Sequence, residues 1–113
     1  MNKTMCDRIT VDLDDPDVGH LIYVLEHIKK RNVYRIDVFR SPSGRGFHVI
    51  GHLREPISFK QQLDEREKLG DCKQRLRFSR RDLKRGFNPD VMFTHKKIDG
   101  EWKEEELLFK VVL

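Results

Sequence analysis

The chain is poor in the residues that mark several common protein classes. It has two cysteines, Cys6 and Cys72, in 113 residues and no Cys-x-x-Cys pair, so it can build neither a zinc knuckle nor a disulfide framework. Two unpaired thiols in a small domain fit a reducing compartment. The longest apolar run, Leu107 to Leu113, is interrupted by Lys110 and falls far short of the roughly 20 residues that a membrane helix needs. Met1 to Asp7 has no apolar centre, so no signal peptide is expected and the expected location is cytoplasmic. The chain has no internal repeat, low-complexity segment or interdomain linker. The reading is therefore one domain over residues 1–113 with a single modest core.

What is present is charge. Charged and hydrophobic residues each make up 37% of the chain, the net charge is +4 and the isoelectric point is about 9.2. A mild basic excess fits an anionic partner such as nucleic acid or nucleotide. On net charge alone, ordinary solubility charge is the favoured account.

Two short stretches organise the rest. Ile9 to Asp14 alternates, with Ile9, Val11 and Leu13 on one face and Thr10, Asp12 and Asp14 on the other, which predicts a strand with an acidic face. Asp15-Pro16-Asp17 reads as a helix start, with Asp15 as cap and Pro16 in the first helical position. The helix is expected to run to about Lys30 on a stripe of Val18, Leu21, Ile22, Leu25 and Ile28. Tyr34 to Arg40 and Phe47 to Leu53 read as two strands joined across Pro42-Ser43-Gly44. In the second of these, His48, Ile50 and His52 share the face away from the core.

Ser58 to Gln61 has capping-box spacing and opens a second helix that Gly70 would stop. Arg75 to Ser79 alternates once more, predicting a fourth strand with Leu76 and Phe78 in the core. Asp99-Gly100 is a tight-turn signal between Val91–Ile98 and Trp102–Leu113. A helix over Glu101 to Leu108 stays open, because Glu104, Glu105 and Glu106 are poor strand residues. The expected fold is α+β, a ferredoxin-like or RRM-like βαββαβ sandwich with an additional C-terminal β-hairpin. In that topology the first and third strands are central neighbours. Residue parity then places Asp12, Asp14, His48, Arg75 and Arg77 together on the uncovered sheet face.

Carboxylates at i and i+2 of a strand point the same way, with backbones about 6–7 Å apart. They can share a hard cation, and oxygen donors favour Mg²⁺ or Mn²⁺ over zinc. Such ions hold triphosphates for in-line transfer. Asp-x-Asp alone is more often a solvated strand face. Ser43-Gly44-Arg45-Gly46 can cradle phosphate, the glycines through close backbone approach and the arginine as a fork, or it is an ordinary turn. His48, directly after it, would contact a phosphate or a sugar hydroxyl. His48 and His52 stand about 13 Å apart along one strand, too far to share an ion. Arg75, Arg77, Arg80, Arg81, Lys84 and Arg85 form the densest basic run. It suits a nucleic-acid backbone or a solvated, aggregation-resistant edge.

With these residues in place the chain resembles the archaeo-eukaryotic primase superfamily. Asp12-Leu13-Asp14 is similar to its Asp-x-Asp metal motif, and Gly46-Phe47-His48, preceded by Ser43-Gly44, to its small-x-His nucleotide motif. The resemblance covers roughly Ile9 to Arg54. It implies an RRM-like core in which the acids hold Mg²⁺ or Mn²⁺ and the histidine holds the incoming nucleoside triphosphate. It also implies DNA primase/polymerase-type nucleotidyltransfer in DNA replication or repair, with DNA or RNA as partner. The family's third acid would fall near Ser79, so Asp82, Asp90 or a partner would have to complete the site. The additional α/β half of such polymerases has no counterpart here. The alternative is a non-catalytic RRM-like nucleic-acid-binding module. Homodimerisation or a replication-protein partner stays open.

Overall fold

The structure, a computed structural model, describes residues 5–92 and 94–113. It is a mixed α+β fold with a four-stranded antiparallel sheet and three helices. The elements are β1 (Met5–Leu13), α1 (Val18–Lys29), β2 (Val33–Arg40), β3 (Phe47–Ser58), α2 (Phe59–Lys68), α3 (Lys73–Lys84), β4 (His95–Ile98), β5 (Glu101–Glu104) and β6 (Glu106–Val112). The main sheet has the order β1-β3-β2-β6, and β4 and β5 form a separate two-stranded ribbon. No helix among the described residues is long and apolar enough to cross a membrane.

The expected alternation sets one sheet face. Ile9, Val11 and Leu13 of β1, Ile36 and Val38 of β2, and Val49 and Leu53 of β3 are buried with Val24 and Ile28 of α1. Gly51 lets α1 lie close, since a Cβ there would come within 2.6 Å of the Ile28 methyl. The helix begins at Val18 rather than at Pro16. Asp15 takes a left-handed conformation at φ 50°, and Asp17 becomes the cap, accepting from the His20 N–H at 2.7 Å. The apolar stripe is accordingly rotated to Leu21, Val24, Leu25 and Ile28, leaving Val18 and Ile22 exposed. The Ser58–Gln61 capping box of α2 forms on both arms, and Gly70 follows that helix at φ 83°.

The expected fourth strand, Arg75–Ser79, is instead the first half of α3. Leu76 and Ser79, three residues apart, are the buried positions, and Phe78 is 43% exposed rather than in the core. Lys, Gln, Arg and Leu are strong helix formers, and that outweighs a short stretch of alternation. The parity argument for Arg75 and Arg77 therefore does not apply.

Without the strand expected at residues 75–79, the free edge of β1 is satisfied by side chains and by the α2–α3 elbow. The Gln62 amide donates to the Arg8 carbonyl at 2.9 Å and Arg75 to the Thr10 carbonyl at 3.4 Å. Asp71 accepts from the Asp12 N–H at 2.6 Å, and the Cys72 N–H donates to the Asp12 carbonyl at 2.9 Å. An open edge would otherwise present these groups to other strands.

The tail also differs from a single long hairpin. Asp99 and Gly100 form the expected turn, both at positive φ (51° and 82°). The ribbon they close pairs only His95–Ile98 with Glu101–Glu104. The chain then breaks at Glu105 and continues as β6 along β2. No helix forms over Glu101–Leu108, and of the strand expected over Val91–Ile98, Phe93 lies outside the described residues.

Candidate functional site

Asp12 and His48 are direct partners in the β1–β3 ladder. The His48 Nε2 lies 3.5 Å from the Asp12 carboxylate. Its Nδ1 lies 2.7 Å from Glu105 Oε2. The imidazole is buried between two acids that lie 93 positions apart in the chain. Glu105 was invisible as a site residue. The one hint was a glutamate run interrupting a strand-like tail, and the break at Glu105 is where the chain turns its carboxylate onto His48.

A cavity of about 670 Å³ opens beside this pair. Asp12, Asp14, Ser43 and His48 line it on the sheet side; Gln74, Phe78, Arg81 and Asp82 line it from α3. The structure thus brings the two acids, the serine and the histidine together from three segments. Asp82 is on the same wall, but the donor atoms that gather within 4.8 Å of one another belong to Asp12, Asp14 and Cys72.

Burial holds the Asp12 carboxyl above the usual range. His48 opposes this, while the neighbouring acids Asp14 and Asp71 add to it. The Cys72 thiol is also pushed up, first by burial and then by Asp14. A divalent cation would reverse the sign of the local field, so the donor set fits one. Two carboxylate oxygens suit Mg²⁺ or Mn²⁺, and a neutral thiol beside them is a weak ligand until it is deprotonated.

The glycine-rich turn serves the fold more than a ligand. A Cβ on Gly46 would come within 2.1 Å of the Leu13 carbonyl, so the glycine is required for the turn to pass the end of β1. Gly44, at φ 76°, turns the chain. The N–H groups of Gly44, Arg45 and Gly46 donate within the loop, to the Ser41 carbonyl, the Ser43 hydroxyl and the Ser41 hydroxyl. What the loop offers the cavity is Ser41, Pro42 and Ser43; Gly44, Arg45 and Gly46 are not among the cavity's lining residues.

The basic run is divided around α3. Arg75 is consumed internally, bonding Asp71 at 3.0 Å, Asp90 at 3.2 Å and the Thr10 hydroxyl at 2.5 Å. Arg80 faces Asp64 and Glu67 of α2, each at 3.5 Å. Arg77 lines a second, smaller groove with Asp14 and Cys72. Lys84 and Arg85 are exposed at the end of the helix. Arg75 and Arg81 both line the main cavity with the acids, and of the two Arg75 is the one tied up by Asp71, Asp90 and Thr10.

Asp90 is not available as a metal ligand. It is buried and accepts from Arg8 at 2.6 Å and from the Thr10 hydroxyl at 2.7 Å. Although burial works against ionisation, Arg8, Thr10 and Arg75 together hold its carboxyl below the usual range. No family model matches the chain, and no curated protein or solved structure matches it.

Proposed function

We propose that the chain is a minimal primase-polymerase-like domain that binds a nucleoside triphosphate together with Mg²⁺ or Mn²⁺. Its chemistry would be nucleotidyl transfer in DNA replication or repair. One observation carries this reading: Asp12, Asp14, Ser43, His48 and Arg81, drawn from four segments, line a single cavity. The strand order β1-β3-β2 supports it, since a ferredoxin-like or RRM-like core would have that order; here α2 and the α2–α3 elbow, rather than another strand, bond to the free edge of β1.

In this reading the Asp12 and Asp14 carboxylates hold the cation. When bound, the ion neutralises phosphate charge and orients the triphosphate for in-line displacement. The Ser43 hydroxyl donates to a phosphate oxygen. His48 is held by Glu105 at Nδ1, which turns its Nε2 toward Asp12 and the bound phosphates. Asp82 on the α3 wall, or the Cys72 thiolate, would supply a third donor.

A thermal-shift panel of nucleoside triphosphates with and without Mn²⁺ tests this. Stabilisation that requires both, and that disappears in the Asp12→Ala/Asp14→Ala double variant, is the expected outcome. Stabilisation that survives in that variant rejects the site.

The exposed Arg77, Lys84 and Arg85 of α3 favour a second reading, a non-catalytic RRM-like nucleic-acid-binding module. Binding would then fall steeply with salt and ignore chelators.

A further inference from the structure

We infer that Gln74, Phe78 and Arg81 of α3 form a nucleobase platform, so that the cavity takes a base-bearing nucleotide rather than a bare polyphosphate. The inference rests on the metal-and-phosphate reading of the adjoining acids and adds a subsite to it.

The three residues stand at i, i+4 and i+7 of one helix, which puts them on one face. All three line the cavity whose other wall carries Asp12, Asp14 and His48. Phe78 is 43% exposed, although the core has buried positions on the same helix at Leu76 and Ser79. Packing therefore does not explain a phenylalanine at this position. The guanidinium carbon of Arg81 lies over the Phe78 ring, 4.9 Å from its centroid, so the cation covers one ring face and a base would stack on an outer face of this pair. Bases stack on such surfaces whatever their identity, since every base has a π-face. Gln74 adds a side-chain amide, with a donor and an acceptor side by side, the pattern that reads the edge of a base.

The two walls of the cavity differ in chemistry. The sheet side carries Asp12 and Asp14 for a cation and its phosphates, and α3 carries the aromatic ring, a guanidinium and an amide, with Asp82 beside Arg81. A nucleotide has the same division, with an anionic end and a flat heteroaromatic end. At about 670 Å³ the cavity falls within the range of small-molecule sites, roughly 300–1,000 Å³.

The test is calorimetric titration of the full chain with Mn²⁺ present, using ATP and inorganic triphosphate as separate ligands. Phe78→Ala is expected to weaken ATP about tenfold or more while leaving inorganic triphosphate unchanged. Phe78→Tyr should restore ATP binding, and Gln74→Leu should change the ranking of the four nucleoside triphosphates. Phe78→Leu keeps apolar bulk and serves if the alanine variant does not fold; loss of ATP preference there carries the same weight. Equal binding of ATP and triphosphate by the unsubstituted chain, or an equal loss of both in the Phe78 variants, overturns the platform. Those results leave the metal site standing provided Asp12→Asn abolishes both ligands. If the unsubstituted chain binds neither ligand, the underlying reading fails as well.

Discussion

Two groups of acids flank β1, and the fold treats them in opposite ways. Asp71 and Asp90 lie on the free edge, are buried, and are surrounded by donors. Asp71 accepts from the Asp12 N–H, from Arg66 at 2.9 Å and from Arg75, while Asp90 accepts from Arg8, Thr10 and Arg75. Arg75 joins the two, and Arg66, itself fully buried, extends the network to Gln62 and Ser79. A few residues away, Asp12 and Asp14 face a cavity and share it with a thiol instead of a guanidinium at bonding distance. Acids matched by arginines hold the fold together; Asp12, whose near neighbour is His48, and Asp14 face the cavity with no arginine paired to them among the described residues. Stabilising the fold and binding a ligand ask opposite things of the same residue type.

The largest effect should come from the matched group. Asp71→Ala leaves Arg66 buried without its partner and strips the Asp12 N–H, and should cost about 3–5 kcal/mol in denaturant melts. An intermediate loss tests how the β1 edge is satisfied. Gln62→Leu removes the donor to the Arg8 carbonyl and should cost about 1–3 kcal/mol.

The two groups should also separate by pH. Asp90 has its folded pKa below the ordinary 3.8, so its contribution is present above that value and is lost as pH falls through the lower folded value. Asp12 is raised from 3.8. Its contribution is present below 3.8 and lost as pH rises through the elevated value, so at neutral pH it is a net cost. Stability measured against pH should lose part of its acid limb in Asp90→Asn and gain at neutral pH in Asp12→Asn. The smallest effect belongs to the surface. Arg80→Ala breaks pairs with Asp64 and Glu67 that are largely solvated, and should change stability by less than about 1 kcal/mol.

The first half of the fold was legible because its signals are local. Alternation in residues 9–14 and 34–53 gave three strands and put Asp12 beside His48. A capping box and a glycine bracketed α2. Residues 75–79 misled because Leu76 and Phe78 alternate with arginines, while the wider window from Lys73 to Lys84 is rich in helix formers. The same misreading hid the cavity wall, since a strand would have buried Phe78, whereas the helix turns it outward. Glu105 and Asp71 could not be found at all. Each acts on a residue 57 or 59 positions away, and neither has a local pattern that says so. The β4–β5 turn was plain from Asp99-Gly100, but where the ribbon ends depends on where β6 finds β2.

The most direct measurement is the melting temperature of Asp12→Asn/Asp14→Asn, alone and with Mn²⁺ and a nucleoside triphosphate. The account predicts that the double variant melts higher than the unsubstituted chain without ligand and gains nothing when both ligands are added. A variant that melts lower without ligand, as Asp71→Ala should, or that keeps the full ligand-induced shift, would contradict it.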